Sequence, residues 1–348
     1  MRILVATPWE YPLGGGLERY AAMTTEHLAK RGHEVRTIGH GDAIEPAIRL
    51  SNTPLSRAIF AEARRALREE RPDVVHVHTP VPGTAELVAL AARKEGVPYV
   101  VTYHAGRLGA PRALAWAARA HEATFQRTML RRAAARIAVS GYVAQNALRG
   151  LACEIIPPGV DAERFTPGGS PVAGRVLFVG SPARAYAWKG LAVLAEAVER
   201  LPDAHLRIVG DGDLAERYRA RGHDVAGRVS DAQLVDEYRA ASVVVLPSLT
   251  DAESFGMALA EANACGRPVV GSDVGGIPSF VRDGENGLLV PPGDVDALAT
   301  AIRRLLRDGS LSRRLGERGR DVVLCHHRWD TLARRTESVL TMVAPQAR

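Results

Sequence analysis

Cysteine is scarce in this 348-residue chain: Cys153, Cys265 and Cys325 are three in all, with no CxxC spacing. An odd, unpaired set excludes a disulfide framework and a cysteine-built structural zinc. Aromatic residues make up 5%, and no helix-turn-helix, RNP or zinc signature accompanies them, so nucleic acid is not expected as a partner. No apolar run approaches the 18 or so residues that a membrane span needs. The apolar stretch after Met1-Arg2 is too short for a signal peptide, and the expectation is a cytoplasmic protein. Lysine is the rarest absence: Lys30, Lys94 and Lys189 are three of 45 basic residues, and the other 42 are arginine. A composition biased toward arginine accounts for the scarcity. Arginine does not replace a compact ammonium everywhere, however, which makes the position of each remaining lysine informative.

What is present is an ordinary globular balance, 46% hydrophobic and 24% charged, and at about 150 residues per domain it suggests two domains. The net charge of +6 is uneven. Residues 1–157 hold 21 basic and 14 acidic side chains, the remainder 24 and 25. Within 105–136, seven arginines face a single Glu122, as expected where one lobe meets an anionic partner. After Pro111 this segment reads as a helix. At about 100° per residue, Arg112, Arg119, Arg127 and Arg131 share a roughly 120° arc with Trp116 among them, and Leu114, Ala118, Phe125 and Met129 lie opposite. A solvated helix face is the plain reading. The sharper one is a surface for anionic lipid headgroups, a peripheral seat at the inner face of a membrane, or for a phosphorylated acceptor.

Short β-branched runs alternate with helical patterns. Residues 3–6, 34–38, 74–77 and 99–102 read as buried parallel strands, with helices over 18–31 and 86–94 closed by Gly32 and Gly96. Pro157-Pro158-Gly159 and Pro167-Gly168-Gly169 interrupt this rhythm as an interdomain connection. A second series follows at 176–179, 206–209, 243–246, 268–271 and 287–290. The pattern predicts two doubly wound α/β lobes, and a cleft at the carboxyl ends of their strands is the default ligand site.

Gly14-Gly15-Gly16 precedes the first helix, where bare backbone amides suit phosphate or a crowded sugar. The dinucleotide fingerprint fails at Arg19, and no Walker motif occurs. Asp211-Gly212-Asp213 reads as a turn and helix cap rather than a metal site. His76 and His78 read as core, and His326-His327 has no evident partner. The strongest constellation is Glu253-Ser254-Phe255-Gly256-Met257 with Glu261 eight residues after Glu253. A helix beginning near Phe255 offers free N–H groups and the positive dipole end to a diphosphate or to sugar hydroxyls.

These residues resemble the E-x7-E element of retaining GT-B glycosyltransferases of family 4. Similar stretches follow the family order: Gly14–Gly16 with Glu18, Asp73 through His78, Thr102-Tyr103-His104, Ile156 through Asp161 with Phe165, Gly227-Arg228-Val229 through Tyr238, Leu246-Pro247-Ser248, Gly275 through Pro278 with Asn286-Gly287-Leu288, and Trp329. The resemblance spans nearly the whole chain. It implies an N-terminal acceptor-binding Rossmann-like lobe (1–160), a nucleotide-sugar-binding Rossmann-like lobe (161–325) and a C-terminal helix (326–348) that crosses back to the first lobe.

By this resemblance Glu261 holds the ribose hydroxyls and Glu253 the donor sugar. Ser254 and the amides of Phe255, Gly256 and Met257 meet sugar or diphosphate. Gly15 and Gly16 approach the donor, Lys189 neutralises the diphosphate, His104 sits beside donor sugar and acceptor, and Arg228 and Val229 flank the nucleobase. Many relatives carry arginine at the place of Ser181, so Arg184 is expected to supply that charge. Cleavage of the anomeric C–O bond puts negative charge on the leaving diphosphate, which Lys189, Arg184 and the helix start would stabilise without metal or other cofactor. The implied reaction moves a sugar from a nucleotide-diphosphate sugar to an alcohol, lipid-linked, phosphorylated or a small natural-product intermediate, with retention. A nucleotide-sugar epimerase or phosphorylase, and a non-catalytic nucleotide-sugar-binding subunit, remain open alternatives.

Overall fold

The computed structural model describes residues 1–13, 15–50, 53–105 and 115–345; Gly14, Arg112 and Leu114 lie outside the described residues. Among the described residues fourteen strands follow in chain order. In the first part these are β1 (Arg2–Trp9), β2 (Glu34–His40), β3 (Ile48–Leu50), β4 (Thr53–Leu55), β5 (Val74–Thr79), β6 (Tyr99–Tyr103), β7 (Ala135–Ala138) and β8 (Glu154–Ile155). In the second they are β9 (Arg175–Val179), β10 (His205–Val209), β11 (Asp224–Gly227), β12 (Val243–Leu246), β13 (Val269–Ser272) and β14 (Leu288–Val290).

The chain divides into two compact units, Met1–Gly159 with Trp329–Arg348, and Val160–Arg328. Each has its own six-stranded sheet, β2-β1-β5-β6-β7-β8 and β11-β10-β9-β12-β13-β14, with parallel pairing throughout. β3 and β4 form a separate antiparallel pair. All six residues of β5 and all four of β12 are buried, the expectation for strands covered on both faces by helices. Strand order reverses between β1 and β5 in the first unit and between β9 and β12 in the second. Ligands of open parallel sheets bind at the carboxyl ends beside such a reversal.

In the first unit, helices run over Gly16–Lys30 and Thr84–Lys94. Each start is fastened by its own glutamate: Glu18 accepts from the Gly15 N–H and Glu86 from the Gly83 N–H, both at 2.8 Å. The last helix, Trp329–Val343, belongs to this unit. Its Trp329 ring lies edge-on to Tyr20 at 5.4 Å, and a Cβ on Gly159 would fall 2.5 Å from that ring. The return to the first unit thus falls at Trp329, beyond 326. His327 stays with the second unit, its ring 5.4 Å from Phe255 and 5.2 Å from Phe280, its carbonyl accepting from the Val160 N–H.

The basic segment departs from a plain helix. Ala115–His121 and Arg127–Arg132 are α-helical, but Glu122–Gln126 forms a π turn. A π turn holds more residues than an α turn and locally widens the helix. Phe125, placed on the apolar side by uniform α periodicity, lies within this turn and is 68% exposed, as Trp116 is at 73%, whereas Met129 after it is buried as that periodicity expects. Arg127 donates to the Arg149 carbonyl, and Arg136 to those of Leu130, Ala133 and Ala152, so part of the basic excess braces backbone.

Candidate functional site

The second unit assembles its site where β9 and β12 end. After β9 the chain makes a short 3-10 stretch, Arg184–Lys189, and turns at Gly190 (φ 75°) into helix Leu191–Glu199. A Cβ on Gly190 would lie 1.9 Å from the Pro247 carbonyl oxygen. Glycine lets the segment carrying Lys189 press against the segment leaving β12. Lys189 Nζ consequently lies 3.6 Å from Glu253 Oε2, with both side chains largely shielded, and 5.2 Å from the Trp188 ring.

The helix expected from Phe255 begins instead at Met257 and runs to Ala264. The phenyl ring of Phe255 is buried in the core, and Gly256 turns left-handed (φ 90°) to start the helix after it. The Gly256 N–H donates to Glu253 Oε1 at 3.1 Å, and the Gly276 N–H to the Glu253 carbonyl at 2.7 Å. Of the three expected amides, Gly256 therefore already serves the carboxylate. The first intrahelical bond is donated by Leu259, which leaves the Met257 and Ala258 amides at the helix head. Glu261, one turn further along, is buried and accepts from the Tyr238 hydroxyl at 2.7 Å.

The remaining expected residues take distinct places. Arg184 is 81% exposed and pairs with Asp213, Nε to Oδ2 at 3.3 Å, while its backbone N–H donates to Asp213 Oδ1 at 2.9 Å. Asp213 ties two loops together, and the helix after it, Ala215–Ala220, has no side-chain cap. Ser181 donates to the Asp211 carbonyl at 2.6 Å. Arg228 is exposed and Val229 half-buried, directly after β11. Ser254 lies between Glu253 and Phe255, its carbonyl packed against Gly276. No group of three or more histidine, cysteine or acidic side chains suited to a metal occurs among the described residues.

In the first unit, a Cβ on Gly15 or Gly16 would meet nothing within 4 Å, so the chain before the first helix is open to close approach. His104 follows β6 and is 9% exposed. Its Nε2 lies 2.8 Å from His78 Nδ1, and the Tyr20 ring stands edge-on at 4.8 Å. His76, further back in β5, bonds through Nε2 to Thr102 Oγ1 at 2.7 Å. Burial holds all three imidazoles neutral, pushing His76 down to about 4, His104 to about 3 and His78 well below its usual value. Of the partners, His78 is read from the sequence as core and Tyr238 as the end of a resembling stretch, neither as a site residue, and Tyr20 is not singled out. The first has a usable signal, since β5 and β6 are parallel neighbours that pair His78 with Thr102, which places His104 just beyond it.

Residues 14–164 match the family described as Glycosyltransferase Family 4, and residues 173–308 match Glycosyl transferases group 1. The chain is 31% identical to a phosphatidyl-myo-inositol mannosyltransferase of Mycolicibacterium smegmatis, over 95% of this chain and 90% of the relative. It is 32% identical to a D-inositol 3-phosphate glycosyltransferase of Acidothermus cellulolyticus, over 85% and 79%. The solved structure of a sucrose-phosphate synthase of Thermosynechococcus elongatus superposes with a TM-score of 0.73 at 25% identity, covering 98% of each chain. The two parallel-sheet units are those of the GT-B fold. The chain belongs to glycosyltransferase family 4.

Proposed function

We propose that this chain transfers a sugar from a nucleotide-diphosphate sugar to a hydroxyl of a phosphate-bearing alcohol, free or lipid-linked, retaining the anomeric configuration and using no metal. The observation that carries this reading is the Lys189–Glu253 pair set beside the helix head at Met257, where β12 ends. A shielded ammonium and helix-head amides that precede the first intrahelical bond together suit a diphosphate that gains charge as its bond to the sugar breaks.

In this reading Glu261, oriented by Tyr238, holds the ribose hydroxyls, and Glu253 holds the donor sugar. Phe255, Gly256 and Met257 line the sugar and diphosphate, with Ser254 beside them, and Arg228 and Val229 flank the base. Arg184 joins Lys189 at the diphosphate by leaving Asp213. So exposed an ion pair is worth at most about 1 kcal/mol, and the exchange costs little. His104, Gly15 and Gly16 act from the first unit. The acceptor oxygen bonds to the anomeric carbon as the diphosphate oxygen leaves, and the acceptor proton passes to that leaving oxygen.

The phosphate-bearing acceptor is supported by the inositol phosphate and phosphatidylinositol named for the two relatives, and by the basic excess of residues 1–157. A lipid acceptor would be met from the cytoplasm by the exposed Trp116, Phe125 and Arg119. Among the described residues no helix is long and apolar enough to cross a membrane, so such contact would be peripheral.

The test measures nucleotide release from UDP-, GDP- and ADP-sugars with and without inositol phosphate or phosphatidylinositol vesicles, in EDTA, with the product's anomeric configuration read by NMR. The expected result is acceptor-dependent release, insensitive to EDTA, giving the donor's configuration. Isomerisation of the donor alone would overturn it.

A further inference from the structure

His78 sits at the end of β5, fully enclosed, while His104 keeps 9% exposure. One hydrogen bond joins His78 Nδ1 to His104 Nε2 at 2.8 Å. The Tyr20 ring packs T-shaped against the His104 ring at 4.8 Å and is itself packed against Trp329. With Nε2 engaged, His104 has only Nδ1 with which to meet a ligand.

The direction of that hydrogen bond is set by the surroundings of His78. Each neutral imidazole carries one N–H, so the bond joins a donor on one ring to a lone pair on the other. Were His104 the donor, His78 would carry its proton on Nε2. That atom is buried and has no hydrogen-bond partner among the described residues. A buried N–H without an acceptor is the rarer and less tolerated orphan, whereas a bare acceptor is more readily accommodated. The proton therefore sits on His78 Nδ1 and is donated to His104 Nε2. His104 must then hold its own proton on Nδ1. His76 adds no competing acceptor for His78, since its Nε2 is taken by Thr102 and its Nδ1 is likewise buried without a partner among the described residues.

We propose that His78 is a positioning residue that fixes His104 as its Nδ1–H tautomer, so that His104 meets its ligand as a hydrogen-bond donor to a hydroxyl or phosphate oxygen. This rests on the proposed placement of His104 in the active site. It has a chemical consequence. A neutral imidazole whose outward nitrogen already holds a proton does not take one from the acceptor hydroxyl, which leaves that proton to the departing diphosphate oxygen.

The test is nitrogen NMR of the full chain with 15N-labelled histidine, joined to kinetics of two variants. In the unmodified chain, His104 Nε2 should resonate as an unprotonated nitrogen and Nδ1 as a protonated one. His78→Leu, which fills the space without a donor, should turn His104 into a tautomer mixture and lower kcat about 10–100-fold with KM for the nucleotide sugar unchanged. His78→Asn, which returns an N–H near the place of Nδ1, should recover most of that loss. Protonation at Nε2 in the unmodified chain would overturn the proposal whatever the variants do. So would a folded His78→Leu with full kcat. Full activity of His104→Ala would defeat the placement on which the proposal rests. An inactive His104→Ala beside a fully active His78→Leu would defeat this proposal alone.

Discussion

At the ends of β5 and β6 the first unit gathers neutral imidazoles, with His78 and His104 bonded ring to ring. At the ends of β9 and β12 the second unit gathers charge, with Lys189 against Glu253 and Glu261 against Tyr238. Both sheets are parallel and both place these residues beside the strand reversal. The same scaffold therefore supports two electrostatic solutions. A group that must hold a diphosphate needs permanent charge and tolerates partial burial because an opposite charge stands beside it. A group that must touch a sugar or an alcohol without binding every passing anion is better neutral. Burial, which opposes ionisation, keeps a histidine in that state.

The largest consequence is a difference in acid stability. The folded pKa values of His76, His78 and His104 all lie below the usual histidine value of 6.5, by burial first. On acidification the unfolded chain takes up protons that the folded first unit refuses. The stabilisation present above pH 6.5 is lost as pH falls toward about 4 for His76 and about 3 for His104. Each group contributes a slope of up to about 1.4 kcal/mol per pH unit. Glu18, whose carboxyl is raised by burial, works the other way, whereas His40 is lowered by burial alongside the other three histidines. Hydrogen exchange followed by mass spectrometry from pH 7 to acid should show β5 and β6 losing protection before β9 and β12. The reverse order would break the comparison.

On activity, removal of the charged pair should cost most. Lys189→Ala should lower kcat by about 10²–10³, and Lys189→Arg should recover only part of it, because the larger planar guanidinium does not fit a point-charge site. Steady-state nucleotide release decides this, and an undiminished Lys189→Ala would remove the second unit's charge from the mechanism. Glu261→Ala should act on binding. A lost charge-assisted hydrogen bond of about 1.5–3 kcal/mol weakens nucleotide affinity roughly 10–100-fold by calorimetry. Tyr238→Phe should act in the same direction with a smaller loss, since Glu261 keeps its charge.

Short runs dominated by apolar and β-branched residues make β1, β5, β6, β9, β10 and β12 readable from sequence, because strands covered on both faces need no alternation. β7 is not legible in this way, since Ala135-Arg136-Ile137-Ala138 comes directly after an alanine- and arginine-rich helical stretch, and it is its pairing with β6 and β8 that makes it a strand. Glu253, Glu261 and Lys189 are readable as members of a set because they are close to landmark glycines and prolines in the chain. Their contacts are not. Lys189 and Glu253 are 64 positions apart, and Tyr238 and Glu261 are 23 apart. Such meetings depend on strand order, which residue spacing does not encode. Phe125 shows a second limit, since it lies in a π turn that residue spacing does not announce, and it is exposed where uniform periodicity puts it on the apolar side.

The smallest effect separates the arginines of the basic segment from one another. Arg119 and Arg131 are exposed, whereas Arg136 is spent on the carbonyls of Leu130, Ala133 and Ala152. If the segment meets anionic lipid, each exposed cation contributes about 1 kcal/mol near the surface. Arg119→Gln should then weaken binding to phosphatidylinositol-containing vesicles about fivefold in flotation assays, more at low salt than at high, with transfer to soluble inositol phosphate unchanged. Arg136→Gln should do the opposite: it removes bonds that hold β7 to the preceding helix, so it should lower the melting temperature and leave vesicle affinity untouched in the protein that remains folded. Equal vesicle binding by Arg119→Gln and the unmodified chain would reduce this face to a solvated helix surface. The basic excess of the first unit would then be accounted for by backbone bracing and by the acceptor's own phosphate.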